Sequence, residues 1–350
     1  MVLPLVFVVA FFVLIYLLQA RVKAKALQSI EYTRKAEKLL CAPGEAIRIT
    51  TTITNKGLSA IPYISVREKI TEDIINNFRV YLMPRTKLVR HVAHVLPARG
   101  RYTFKPASIS VGDFIGITEG MESFNCKGEI VVYPSPATGS YIQRVTGSFL
   151  GDVSVRRFIM PDPILVTGFS EYTGREPMKA ISWPQTLRSG QMMVKNYDYT
   201  TEMTATVVVS LEFLSTSKLK LPEGAAEAVE ECLSIAHSFC DALEKARVKY
   251  DFFSNMATIG KVDAWSHVDE GYGKRHLMHI LEGMGRASVF AREPLERLVM
   301  RVNKAQIDGA NKPVVFIVPN AEDKVMEVVS RVGKGIKSVT VISAQREVQG

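Results

Sequence analysis

The chain has 350 residues, 47 % hydrophobic and 23 % charged, with a formal net charge of +9 at pH 7. That length exceeds one ordinary core and predicts two or three domains, while the composition excludes an intrinsically disordered chain. The positive balance invites a nucleic-acid partner, but no zinc-binding spacing, single-strand platform or long basic block supports one, and none is expected.

Residues 2–18 carry no charge. About 19 helical residues at roughly 1.5 Å each reach about 28 Å, close to a bilayer's hydrocarbon thickness, so residues 2–20 are expected to form a transmembrane helix. Positive charge follows this run, at Arg21, Lys23 and Lys25. A cleaved signal would carry it in front, and the positive-inside rule puts everything after residue 20 in the cytoplasm. The expectation is a single-pass protein of the cell membrane, with lipid as a partner through residues 2–20. Residues 21–39 read as a basic juxtamembrane segment facing anionic headgroups. Cys41, Cys126, Cys232 and Cys240 form no CxxC pair. They read as small core hydrophobes in a reducing compartment.

From residue 40 the pattern turns to period two. Ile47, Ile49, Thr51 and Ile53 alternate with Arg48, Thr50, Thr52 and Thr54, the mark of a half-buried strand. Further strands are predicted at 61–67, 79–83, 88–96, 101–105, 108–111 and 129–133. Short strands with turns between them predict an all-β, immunoglobulin-like sandwich over residues 40–135. His91 and His94, three apart on a strand, should point to opposite faces and form no metal pair. Asp113 reads as a turn-capping carboxylate.

Residues 136–200 read as a linker ending in a dense passage, GFSEYTGREPMKAISWPQTLRSGQMMVKNYDYT, from Gly168 to Thr200. It packs Glu171, Tyr172, Arg175, Glu176, Lys179, Trp183, Arg188 and Gly190 together with little helical or strand period. Such charges either pair with one another to fasten two domains or face a partner. The first is the expectation, with Trp183 wedged into the joint and Arg188 paired with Glu171 or Glu176.

Residues 201–345 alternate strand and helix. Residues 204–210 read as a buried central strand and 314–318 as a second; 248–253, 256–259 and 338–342 are further strands. Helices are expected at about 224–246, 274–284, 294–302 and 321–332. In the first of them Val229, Cys232, Leu233, Ala236, Phe239, Cys240 and Leu243 share a face, bordered by His237. The pattern predicts a doubly wound α/β domain with ligand loops at 210–221 and 319–323. Neither GxGxxG nor GxxxxGK[ST] occurs, so no nucleotide or other cofactor is expected. Ser210, Glu212 and Ser215 make a poor set for a hard cation, and no metal is expected.

The Gly168–Thr200 passage resembles the signature of the bacterial family known as domain of unknown function fifty-eight. Glu171, Tyr172, Ile181, Trp183, Arg188, Gly190 and Val194 match its pattern, and Glu176 stands at its aspartate. Ser170, Arg175 and Lys179 depart from its first arginine, its glycine and its second arginine. Upstream, RGRYTFKPASISVGDFIGI is similar to a second family motif, keeping Asp113 and Phe114 without the intervening proline. The resemblance implies a multidomain α+β protein: a membrane anchor, a sandwich and a von Willebrand factor A-like domain, with no established catalysis. It also implies a MoxR-type AAA+ ATPase partner and a neighbouring transglutaminase-like membrane protein. Ser210 stands where such domains carry the aspartate of a metal loop, so that loop is degenerate here.

The functional expectation is a non-catalytic, membrane-anchored interaction module, an adaptor for the ATPase in assembling or maturing envelope proteins. The alternatives are a structural membrane scaffold, or an enzyme using Glu171 and Glu176 as an acid–base pair.

Overall fold

The computed structural model describes residues 14, 21, 25–70, 74–112, 119–156, 166–197, 204–213, 221–260, 264–308, 312–331 and 338–344. Two compact units divide the chain, Met1–Tyr133 and Pro134–Gly350.

The first unit is a β-sandwich. Its strands are β1 (Ile30–Ala36), β2 (Leu40–Cys41), β3 (Ala46–Asn55), β4 (Ile61–Lys69), β5 (Ile75–Leu82), β6 (Lys87–Val95), β7 (Gly100–Thr103), β8 (Ala107–Gly112), β9 (Glu119–Phe124) and β10 (Glu129–Val132). One sheet runs β1-β3-β6 and another β5-β4-β8-β9, both antiparallel, with a small β2-β10-β7 sheet beside them. Alternate side chains of a strand face opposite sides. Accordingly Ile47, Ile49 and Ile53 of β3 are buried and Arg48 is exposed. Ile30, Tyr32 and Ile53 of the first sheet pack with Ile64, Val66, Ile109 and Val111 of the second.

A polar network crosses this core. Tyr32 Oη donates to Glu68 Oε1 at 2.6 Å, and Thr51 Oγ1 donates to the same oxygen at 2.7 Å. Arg34 donates to Tyr32 Oη from Nε at 3.0 Å and from Nη2 at 2.9 Å. Arg34 and Glu68 are both buried, which is tolerable only because each is hydrogen-bonded. Burial, and then the bond to Glu68, push the Tyr32 phenol far above its ordinary range.

The second unit carries a five-stranded mixed sheet. Its helices and strands are α1 (Ser140–Arg156), β11 (Val166–Glu171), α2 (Trp183–Ser189), β12 (Met193–Tyr197), β13 (Thr204–Val209), α3 (Ala225–Lys245), β14 (Lys249–Ser254), β15 (Met256–Thr258), β16 (His267–Gly271), α4 (Lys274–Arg286), β17 (Ala287–Ala291), α5 (Leu295–Asp308), β18 (Val314–Val318), α6 (Asp323–Ser330) and β19 (Val339–Ser343). The sheet order is β16-β14-β13-β18-β19; β16 is antiparallel to β14 and the other pairs are parallel. On one face Val208, Phe253 and Phe316 pack against Leu298 and Val302 of α5 and Val325 and Val329 of α6. By alternation Val207, Phe252 and Ile317 point to the other face, where α3 lies on β13, β14 and β18. The buried stripe of α3 includes Val229, Cys232, Leu233, Ala236, Phe239, Cys240 and Leu243. His237 is buried beside it, its Nδ1 at 2.7 Å from the Pro134 carbonyl oxygen. Gly283 leaves room for Trp265, whose Cγ would lie 2.4 Å from a Cβ at that position.

Several expectations need correction. Among the described residues no helix is long and apolar enough to cross a membrane. Residues 2–20, apart from Leu14, lie outside the described residues. The membrane-spanning part of the expected fold class and the single-pass cytoplasmic placement are not supported, because hydropathy states a preference for apolar surroundings and not a position in a bilayer. The first unit is all strand apart from its lead-in, whereas the second is richer in helix than in strand; beside the strand–helix alternation it carries an antiparallel edge strand, β16, and a separate antiparallel β15-β17 ribbon. Residues 25–29 are helical and 30–36 form β1, so part of the expected juxtamembrane segment belongs to the sandwich. Asp113 and Phe114 lie outside the described residues.

Tyr32→Phe deletes the hydroxyl that joins Arg34 to Glu68 while keeping the ring. It should cost about 1.5–3 kcal/mol, read as a lower urea midpoint at unchanged m-value. A second expectation concerns pH. Burial is the leading cause that lowers the pKa of His94, His237 and His276 from 6.5. The unfolded chain therefore takes up protons first as pH falls, so this contribution is complete above about 6.5 and is lost on descending through the lower folded-state values. Urea unfolding at pH 7.5, 6.5 and 5.5 should show declining stability; a constant or rising value contradicts it.

Candidate functional site

Two places hold the chemistry singled out by the sequence. The first is the carboxyl end of the parallel strands, where open α/β sheets bind ligands. Ser210 and Asn255 follow β13 and β14 there, and both are buried. Asn255 Nδ2 donates to Ser210 Oγ at 3.0 Å and to the Glu293 carbonyl at 3.1 Å; its Oδ1 accepts from the Leu211 amide at 2.9 Å. Glu212 Oε2 accepts from the Leu295 amide and so caps the first turn of α5, where a carboxylate complements the helix dipole.

A cleft of about 440 Å³ opens beside Asn255, bordered by Arg292, Arg297 and Arg301. Arg301 donates to the carbonyls of Ser266 and Ser254, each at 2.9 Å, and pairs with Glu293. This donor set does not fit a divalent cation. The Ser210 hydroxyl and Glu212 carboxylate already hold protein partners, three guanidiniums repel positive charge, and among the described residues no three His, Cys, Asp or Glu side chains converge. Ser215 lies outside the described residues. The sequence pointed to Ser210 and Glu212, but it gave no sign that Asn255, 45 residues from Ser210, would tie the Ser210 hydroxyl and the Leu211 amide to the Glu293 carbonyl.

The second place is the signature segment, which folds as an antiparallel pair, β11 and β12, around a compact excursion. Tyr172 N donates to the Met192 carbonyl and Ser182 N to the Met193 carbonyl, both at 2.8 Å, and Ile181 bridges Val194. A 3-10 turn, Met178–Ala180, leads into α2. Gly190 ends that helix at φ 72°, a left-handed position suited to glycine, and its amide bonds Thr186 O at 3.0 Å. Ala180, Ile181 and Val194 make the small buried floor.

The matched side chains mostly face outward. Trp183 is 60 % exposed, Leu187 85 % and Met178 72 %. Four residues apart on α2, Trp183 and Leu187 share a face. Glu171, Arg175, Lys179 and Arg188 are exposed, and Tyr172 is half-buried. Among the described residues no ion pair joins Arg188 to Glu171 or Glu176; Arg188 instead sits in the last turn of α2, a favourable place for a cation. Glu176 takes hydrogen bonds from Thr173 Oγ1 at 2.8 Å and Thr173 N at 3.0 Å. The Thr173 hydroxyl leads in holding its carboxyl below the ordinary range, the opposite direction from a general acid working near neutrality. The Trp183 wedge and the Arg188 ion pair of the expectation are not seen among the described residues: within its own unit the excursion satisfies its backbone through its own strands and leaves the tryptophan and the charges exposed.

No protein-family model and no curated protein sequence matches the chain. Among solved structures, the CARDB domain of a Pyrococcus furiosus protein, in complex with di-metal ions, is 18 % identical; the match covers 29 % of this chain and 91 % of that one at a TM-score of 0.24. A late embryogenesis abundant protein is 13 % identical over 33 % of this chain and 79 % of its own, at 0.22. A β-glucosidase from Erythrobacter marinus is 16 % identical over 28 % of this chain and 15 % of its own, at 0.17. Scores this low carry no argument about what the chain does.

Asn255→Ala would orphan the Leu211 amide and the Glu293 carbonyl and take one of two partners from Ser210 Oγ. An unmet buried polar group costs about 1–3 kcal/mol, so the variant should lose at least that much stability in urea unfolding. An unchanged midpoint would mean that Asn255 does not close the strand ends.

Proposed function

We propose that this chain is a non-catalytic protein-interaction module, with the outer face of the signature excursion as its docking surface and a MoxR-type AAA+ ATPase as its partner. The observation that carries the reading is the Trp183–Leu187 pair, exposed on one face of a short helix that is tied to a strand pair. Exposed tryptophan on a preorganised element is the residue type that anchors interfaces, because it buries a large area at low conformational cost.

Charge narrows the partner. Arg175, Lys179, Arg188 and Lys195 outnumber Glu171, Glu176 and Asp198 in the segment by one, so the complementary surface is an apolar socket with a mildly acidic rim. The resemblance to the domain of unknown function fifty-eight family supports a MoxR-type ATPase as the bearer of that socket, and a role in assembling or maturing envelope proteins. An acid–base enzyme using Glu171 and Glu176 is disfavoured, because Glu171 is exposed and Glu176 is held ionised by Thr173.

The test is a binding titration of the full chain against the purified ATPase, with Trp183→Ala and Leu187→Ala combined. Losing two anchors should cost at least about 2 kcal/mol, roughly 30-fold in affinity, at an unchanged thermal midpoint. Undiminished affinity in the double variant, or no binding by the parent chain, would overturn the reading.

A further inference from the structure

The solvent face of β1, β3 and β6 holds an arrangement that the docking reading does not use. Register sets Lys35 opposite Thr50, Thr33 opposite Thr52, and Thr50 opposite His91. The isoleucines of β3 turn into the core, so Arg48, Thr50 and Thr52 are left on the outer face. That face carries an open groove of about 590 Å³. Small-molecule sites run from about 300 to 1,000 Å³.

Lys35, Arg48 and Lys87 border the groove, and Thr33, Thr50 and Thr52 form its floor. Elsewhere in the same unit Lys38 pairs with Glu45, Lys56 with Glu31 and Arg101 with Glu129, while exposed Arg67, Arg85, Lys105 and Lys127 have no acidic partner among the described residues. No ion pair or hydrogen bond among the described residues engages the side chains of Lys35, Arg48 or Lys87. Glu37 adds a carboxylate to the lining, so three cations against one carboxylate leave a surplus of two positive charges.

That surplus matches a phosphate monoester, which carries about −1.5 to −2 at neutral pH, better than the single charge of a carboxylate. Phosphate alone would fill little of the groove. The threonine hydroxyls both donate and accept, which suits a ligand rich in hydroxyls. His91 Nδ1 lies 3.0 Å from Thr50 Oγ1 and holds that floor hydroxyl in place.

We propose that this groove binds a phosphate monoester carried on a polyhydroxylated, sugar-like body. Arg48 takes two phosphate oxygens through its planar fork, Lys35 and Lys87 supply point charges, and the threonine floor takes the hydroxyls. The cations are exposed, so affinity falls as salt rises. The proposal stands on residues of the first unit and is independent of the docking surface.

The test is calorimetric titration of the full chain at low salt with glucose 6-phosphate, inorganic phosphate and glucose. Glucose 6-phosphate should bind at least tenfold more tightly than inorganic phosphate, and glucose should not bind. Arg48→Gln and Lys87→Gln should each weaken glucose 6-phosphate at least tenfold, while Thr50→Val should bring it to the level of inorganic phosphate. All three side chains lie on the outer face, so thermal midpoints should not move. Vesicles of phosphatidylcholine with phosphatidylinositol 4-phosphate distinguish the source. Co-sedimentation that glucose 6-phosphate displaces assigns the group to a lipid headgroup, and no co-sedimentation beside a positive titration assigns it to a soluble compound. Failure of glucose 6-phosphate to saturate, equal binding of glucose, or unaltered affinity in the Arg48→Gln, Lys87→Gln double variant would overturn the proposal.

Discussion

Backbone polar groups must find partners, and in residues 166–197 they find them within the segment itself. The β11-β12 ladder, the Tyr172 and Ser182 amides on the Met192 and Met193 carbonyls, and the Gly190 amide on Thr186 meet the needs of a chain with little regular period. Because that demand is met locally, no side chain has to be buried elsewhere to hold the excursion in shape. Trp183, Leu187 and the surrounding charges are left to solvent on a supported platform, and the functional reading follows from that outcome.

The same rule closes two other places. At the ends of the parallel strands the Asn255 amide joins Ser210, Leu211 and Glu293, so a location where open sheets often receive ligands is partly occupied by the protein's own hydrogen bonds. Inside the sandwich, Tyr32 reconciles a buried arginine with a buried carboxylate. Where polar groups are satisfied the molecule is closed. On the outer face of β1-β3-β6, Lys35, Arg48 and Lys87 border an open groove, the place proposed for a phosphate monoester.

How far the sequence disclosed this depended on whether a residue's surroundings were local. The period-two run from Ile47 to Thr54 and the stripe of α3 declare their buried faces by spacing alone. β1 was hidden because Arg34 occupies a core-facing position, and only Tyr32 and the Lys69 and Lys105 carbonyls make that tolerable. α1 was hidden by Gly147 and Gly151, poor helix formers inside a weakly patterned stretch. The strand β16 was missed because its residues are largely exposed and carry no apolar run, and β17 because it is a short, half-exposed stretch directly after a helix. The signature residues could be named from the sequence, but their direction could not. Charge spacing is equally compatible with internal pairing and with an outward face, and the structure shows the second.

The outward placement of Trp183 is open to one direct measurement. The chain has two tryptophans, Trp183 and the buried Trp265. Labelled with 5-fluorotryptophan and assigned through Trp183→Phe, it should give two fluorine resonances of different character in solution. The Trp183 signal should move between light and heavy water, as a solvated ring does, while the Trp265 signal stays fixed. Two signals equally indifferent to the solvent would place Trp183 in a buried joint and contradict the account.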